Sequence, residues 1–405
     1  MRQIKLGRRF RLLLIATILL GVILFSNERY TIHAAVVPTA LPAQALVSMY
    51  GDNLAFADNP ATAIVRCVFP CAASVSFTVP GNFGMPGASV WGNRIAFAVV
   101  YPGAPGTELA YCDIPATCVT GAVVLTGVNP TADAGVIGLA DFGARGFPSI
   151  YGDLIAYWAG LPPVISYYNV LTGVAVATGA VGTWPAIVGD RIVFSTPESS
   201  VGIDLNGDGD MTDHVIRYYV ISTGTLVNTG AEGDLPSATN NRIAFETTES
   251  QVGPGGTDLN GDGDTADVVV RYYDMGIKSV VNTGQVGNSV SIYGDRIVFH
   301  VSESAAGVDY TGNGVTTDQA VRYYNINAPA FASSVIAIGV SPVGCDPVIN
   351  GSRVAFLTNC QGAGKLSFIS RVPMKGDANW DGKVDIVDLV TSAACFGSSI
   401  TGAVC

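Results

Sequence analysis

The chain has 405 residues, with 21 basic residues against 32 acidic ones and a net charge of −11. Six of the bases and one acid fall in residues 1–35, leaving 15 bases against 31 acids, a net charge of −16, for the remainder. That balance argues against nucleic acid as a partner, since phosphate recognition needs Lys and Arg.

The first segment, residues 1–35, opens with Arg2, Lys5, Arg8, Arg9 and Arg11 ahead of an apolar run from Leu12 to Phe25, with Ala34 and Ala35 after it. This is the pattern of an export signal. The run falls short of the roughly 20 apolar residues of a membrane span. It is read as a cleaved leader, with an uncleaved membrane anchor as the alternative, and it places the remainder outside the cytoplasm, secreted or at the cell surface. Eight cysteines follow in four close pairs, Cys67 with Cys71, Cys112 with Cys118, Cys345 with Cys360 and Cys395 with Cys405. An even count behind an export signal reads as disulfides, and nearest-neighbour pairing is the simplest connectivity.

One hexad then recurs seven times: GDNLAF (51–56), GNRIAF (92–97), GDLIAY (152–157), GDRIVF (189–194), NNRIAF (240–245), GDRIVF (294–299) and GSRVAF (351–356). Each joins a turn pair to a short apolar run, which reads as a hairpin. A Tyr-x-Asp or Tyr-Tyr strand and a further short strand follow most copies, giving about four strands per repeat. The predicted fold class is all-β: a β-propeller over residues 36–372, of seven four-stranded blades, with a short C-terminal module at 373–405. Face-to-face stacking of blades also explains apolar runs that do not alternate. The last repeat shows three strands, and a strand from about Val36 to Leu46 is expected to close the ring. Over residues 45–372 the hexad and its Tyr-x-Asp follower resemble the repeats of TolB-like bacterial propellers, a resemblance that implies fold rather than function.

Three consecutive repeats carry an insertion between the hexad strand and the Tyr-Tyr strand. Two are nearly identical, DLNGDGDMTD (204–213) and DLNGDGDTAD (258–267). Oxygen ligands at alternate positions, Asp204, Asn206, Asp208 and Asp210, then Asp258, Asn260, Asp262 and Asp264, with glycine at the bend, suit a hard cation of calcium's size. Asp213 and Asp267 follow at the tenth position. No acid stands at the twelfth, so a remote ligand is needed, and Glu198 and Glu249 are the candidates. The third copy, with Glu303 ahead of Asp309 and Asp318, has Val315 in place of an acid and is expected to bind weakly or not at all.

Residues 376–390 set oxygen ligands at Asp377, Asn379, Asp381, Asp385 and Asp388 around Gly382. This resembles the type I dockerin repeat, which implies calcium, a following helix and a cohesin-like partner. The family's cohesin binders carry two repeats and a polar recognition pair; here there is one repeat and Ile386-Val387, a departure that puts the cohesin partner in doubt. A calcium-stapled end cap is the other reading of the module.

Catalytic signatures are sparse. There is no G-x-S-x-G elbow, no H-E-x-x-H and no phosphate loop. Beyond the leader only His214 and His300 remain. His214 follows a loop acid and reads as a loop residue; Glu246 and His300, at equivalent strand ends of neighbouring repeats, are the weak acid–base candidates. Trp158 and Trp184 fall near the same ends, as packing residues or as platforms for sugar. The sequence therefore reads as a secreted, calcium-stabilised propeller acting as a binding or cell-surface interaction module, with a protein or polysaccharide partner. The alternatives are a glycan-active hydrolase or lyase and a purely structural surface protein.

Overall fold

The computed structural model describes residues 36–43, 45–57, 64–68, 71, 74–77, 88–100, 107–114, 118, 123–128, 148–310, 314–327, 345–358 and 364–369. The leader, the dockerin-like segment with Asp377, Asn379, Asp381, Asp385 and Asp388, and Cys360, Cys395 and Cys405 of the last two cysteine pairs lie outside the described residues.

The strands run in chain order. β1 (Val36–Ala43) precedes the first blade, β2 (Ala45–Tyr50), β3 (Asn53–Ala57), β4 (Ile64–Val68) and β5 (Ser74–Phe77). The second is β6 (Ala88–Trp91), β7 (Arg94–Val100), β8 (Thr107–Asp113) and β9 (Val124–Leu125), and the third β10 (Ser149–Tyr151), β11 (Leu154–Ala159), β12 (Val164–Asn169) and β13 (Val174–Val181). The fourth is β14 (Thr183–Val188), β15 (Arg191–Pro197), β16 (His214–Val220) and β17 (Thr225–Glu232), and the fifth β18 (Asp234–Thr239), β19 (Arg242–Thr248), β20 (Val268–Asp274) and β21 (Ser279–Val286). The sixth holds β22 (Asn288–Tyr293), β23 (Arg296–Ser302) and β24 (Gln319–Asn325), and the seventh β25 (Cys345–Asn350), β26 (Arg353–Leu357) and β27 (Gly364–Ile369).

Each blade is an antiparallel meander, and β1 pairs with β27 to give the seventh its fourth strand. The N-terminal strand thus closes the ring and removes an open edge. Six sheets have four strands and one, β22–β24, has three among the described residues. Of the expected seven four-stranded blades six are seen complete, and the fourth strand of the sixth would fall in residues 328–344, outside the described residues.

The hexads are the hairpins between the first two strands of each blade. Gly51, Gly92, Gly152, Gly189, Gly294 and Gly351 take φ between 54° and 63° at the first turn position, which glycine adopts without strain. The apolar run that follows is buried on both faces, because blades stack through it. Phe56, Phe97, Phe194, Phe245, Phe299 and Phe356 are among the largest wholly buried side chains, each contributing roughly 1.5–3 kcal/mol by burial. The core lies between blades: Val193 and Ile216 of the fourth pack with Ile243 and Phe245 of the fifth, and Leu54 and Phe56 of the first pack with Ala355 and Leu357 of the seventh.

Polar links repeat at the hairpin face. Arg94 reaches Asp113 at 2.6 Å in its own blade and Asp153 at 2.7 Å in the next. Arg242 does the same with Asp274 and Asp295, and Arg353 of the last blade pairs with Asp52 of the first. The Asn350 side chain accepts a hydrogen bond from the Gly51 amide across the same closure, at 3.0 Å. Disulfides join Cys67 to Cys71 and Cys112 to Cys118.

Candidate metal loops and channel mouth

The inserted loops connect the second and third strands of their blades, so they leave the ring at the face opposite the hexad hairpins. Each is anchored by the same backbone bond: the amides of Glu198, Glu249 and Glu303 donate to the carbonyls of Asp213, Asp267 and Asp318, at 2.9–3.0 Å. Inside the first loop, Asp204 accepts from the amides of Gly207 and Gly209, and Asn206 and Asp208 accept from the amides two residues on. The second loop repeats this with Asp258, Asn260 and Asp262. These bonds curl the chain and turn the carboxylates toward one another.

Glu198, Asp210 and Asp213 come together with one carboxylate oxygen each within 4.8 Å of the others, and Glu249, Asp264 and Asp267 form the matching group. Glu198 is wholly buried. One of its oxygens accepts from the amides of Leu205 and Asn206, and the other has no hydrogen-bond partner. Such a charge, desolvated and half satisfied, costs several kcal/mol without a compensating cation. The strain shows in Asp213, whose carboxyl is pushed up to about 6 by burial and by the carboxylates of Asp208, Asp210 and Glu198. Burial raises Asp267 likewise, with Asp262 beside it. These all-oxygen clusters could hold a hard metal ion; no histidine or cysteine belongs to them. Among the described residues no such group forms around Glu303, in keeping with the loss of acids from the third loop.

Glu232 was not foreseen. It ends β17 and joins Asp208 and Asp213 in a second acidic group, with the Asn206 amide nitrogen 3.0 Å away and Arg271 of the next blade at 3.8 Å. The corresponding positions, Val181 and Val286, are apolar, and that break in the repeat was the available signal. Arg217, Arg271 and Arg322 occupy one position of the Tyr-Tyr strand in the three loop-bearing blades, where the loop-less third blade has Ser166. Burial lowers all three, and Arg322 lies over the Tyr310 ring of its own loop at 4.0 Å.

The same face holds the mouth of the central channel, a cavity of about 220 Å³ lined by first strands of the blades. Its wall carries a repeated serine three residues before the hexad: Ser48, Ser89, Ser149, Ser237 and Ser291. Each hydroxyl accepts the amide of the first strand of the next blade, at 3.0–3.2 Å. Ala186 and Val348 leave two gaps in this ring. Two residues nearer the mouth, Trp184, Leu235, Ser289 and Asp346 take φ of 56°, 49°, 59° and 47° at a bulge in four consecutive blades.

Glu246 and His300 fall at equivalent strand ends beside this mouth, opposite Asp234 and Asn288. Glu246 is engaged: it accepts the Ser289 amide at 2.5 Å and so holds the bulge. His214 lies between Asp234, at 2.9 Å, and Ser195, at 3.4 Å, both on the same ring nitrogen; the Asp234 hydrogen bond raises its basicity. With one nitrogen serving both, a relay from serine through imidazole to carboxylate is not formed. Trp158 is buried in the core, whereas Trp184 is half-buried at the channel.

The β-propeller architecture is shared with known structures. The β-propeller domain of the Trilobed protease from Pyrococcus furiosus, described as having an open velcro topology, is similar at a TM-score of 0.50 and 9% identity, covering 86% of this chain and 100% of that one. Here, by contrast, β1 closes the ring. A putative TolB from Agrobacterium tumefaciens is similar at a TM-score of 0.37 and 14% identity, over 61% of this chain and 81% of that chain. TolB from Acinetobacter baumannii also has a TM-score of 0.37, with 12% identity, over 80% of this chain and 79% of that one. No family model matches the chain, and no curated protein matches it by sequence.

Proposed function

We propose that the protein is an exported β-propeller fastened by calcium at its two complete acidic loops, working as a binding or surface-interaction module. The observation that carries the reading is the Glu198 carboxylate, wholly buried and unpartnered at one oxygen beside Asp210 and Asp213. Calcium takes six to eight oxygen ligands in irregular cages, which these loops can supply; magnesium prefers few protein ligands and several waters. Asp204, Asn206, Asp208, Asp210, Asp213 and Glu198 would hold the ion in the first loop. Asp258, Asn260, Asp262, Asp264, Asp267 and Glu249 would do so in the second, and Asp377, Asn379, Asp381, Asp385 and Asp388 in the dockerin-like segment. Export is supported by the leader pattern and by two disulfides, which persist in oxidising compartments.

A binding role is favoured over catalysis because Glu246 is committed to a backbone amide and His214 makes no relay. The partner is a protein or polysaccharide at the cell surface. Scanning calorimetry of the full-length chain with and without chelator tests the fastening: calcium at tenfold excess over its dissociation constant stabilises by about 1.4 kcal/mol per site. An unchanged melting midpoint on chelation would remove calcium from the reading.

A further inference from the structure

Within the channel wall, two positions behave differently from blade to blade. The serine three residues before the hexad recurs in five of the seven blades with one bonding pattern, as a scaffold position does. Two residues earlier the backbone is equally regular, with positive φ in four consecutive blades, yet the side chains are Trp184, Leu235, Ser289 and Asp346. A left-handed backbone disfavours most residues other than glycine, with Asp and Asn tolerated at single positions, and among the other described positive-φ positions of the ring all but Cys71 and Lys278 are glycine. Retaining four unlike side chains at strained positions beside a cavity points to a use for them.

Their chemistry is specific. Trp184, Leu235 and Asp346 line the cavity, and Asp346 is the single charged residue among its described lining. Ser289 donates its hydroxyl to one Asp346 oxygen at 3.0 Å, fixing the carboxylate. Glu246 fixes the Ser289 backbone in turn. A positioned carboxylate and an aromatic wall, with no basic side chain in the lining, match an organic cation. The volume of about 220 Å³ is below the roughly 300–1,000 Å³ of drug-sized pockets, so the occupant is a single small head group.

We propose that this end of the channel binds an alkylammonium group, with Asp346 as its counter-ion and Trp184 as its aromatic wall. The inference rests on the binding-module reading and gives it a ligand class. The ammonium could belong to a free amine or to a lysine side chain of a protein partner.

The test is calorimetric titration of the full-length chain in calcium with n-butylammonium, a lysine-ended peptide, n-butanol and a methyl glucoside. Saturable binding of n-butylammonium or the peptide, weakened at least tenfold by Asp346→Asn and by Trp184→Gly, supports the proposal. A peptide that binds tighter than the amine assigns the ammonium to a protein partner, and equal affinity assigns it to a free amine. Trp184→Gly should melt within about 3 °C of the parent, because glycine relieves the backbone; a larger drop with undiminished amine binding would make the side chain structural and overturn the proposal. Binding of n-butanol or the glucoside as well as the amine would also overturn it, as would no saturation by any probe. Melting with and without chelator in the same samples separates the two readings. An intact calcium response without amine binding removes only this inference.

Discussion

The two faces of the ring are built on opposite rules. On the hairpin face the blades do nearly the same thing: a tight turn of Gly-Asp or a close variant and, in five of the seven, an arginine reaching forward to the next blade, with Arg353 on Asp52 at closure. On the loop face the backbone repeats but the side chains diverge, with acidic cages in the fourth and fifth blades, an eroded loop in the sixth and four unlike residues at the channel mouth. Repetition is what stacking demands, since each blade must present one neighbour's complement to the next. Divergence on a common backbone marks where the ring is free to specialise. The difference teaches that function here is to be sought where the repeat breaks.

The comparison can be broken at points of decreasing effect. Gly233 sits at the loop-face end of the fifth blade, and a Cβ there would lie 2.3 Å from Phe245 and 2.7 Å from the Glu246 carbonyl. Gly233→Ala should therefore destabilise by about 1–3 kcal/mol in denaturant unfolding. The acidic loops predict a change of sign. Glu198→Gln should lower stability by about 2 kcal/mol in calcium but leave it equal or higher in chelator, where the buried carboxylate is only a cost. A loss of stability in both conditions would make Glu198 a purely structural acid.

Smaller effects separate scaffold from specialisation. Ser237→Ala, which orphans the Ile292 amide, should cost about 1 kcal/mol, and Ala186→Ser should recover up to a similar amount by filling a gap in the serine ring. Least of all, Arg242→Gln on the hairpin face should cost under about 1 kcal/mol and lose its effect at high salt, since its partners are partly exposed. If the arginine change outweighs Gly233→Ala, the hairpin face and not the interblade core governs stability.

Much of the fold was legible because a hairpin is encoded contiguously. The hexad carries its turn and its buried run within six residues, so seven copies revealed the ring, and the N-terminal strand was expected to close it. The outer strand of the sixth blade would fall in residues 328–344, outside the described residues. Glu198 and Glu249 could be nominated from the repeated Glu-Ser context, and they do lie beside Asp213 and Asp267. Glu232, the serine ring and the left-handed backbone at the mouth went unseen, although Trp184 was singled out near this face. The recurrence of the serine and the break at Glu232 stand in the sequence, but the bonds that give them meaning form only across a neighbouring blade or at a backbone bulge. Glu246 and His300 lie at equivalent positions of neighbouring blades, but the Glu246 partner depends on the bulge at Ser289.

Calcium binding at the buried glutamates is the central claim, and isothermal titration of the full-length chain against Glu198→Gln and Glu249→Gln tests it most directly. The account predicts saturable calcium binding, with one equivalent removed by each substitution and the remaining sites unchanged. No heat of binding at millimolar calcium, or full stoichiometry retained in both variants, would contradict it.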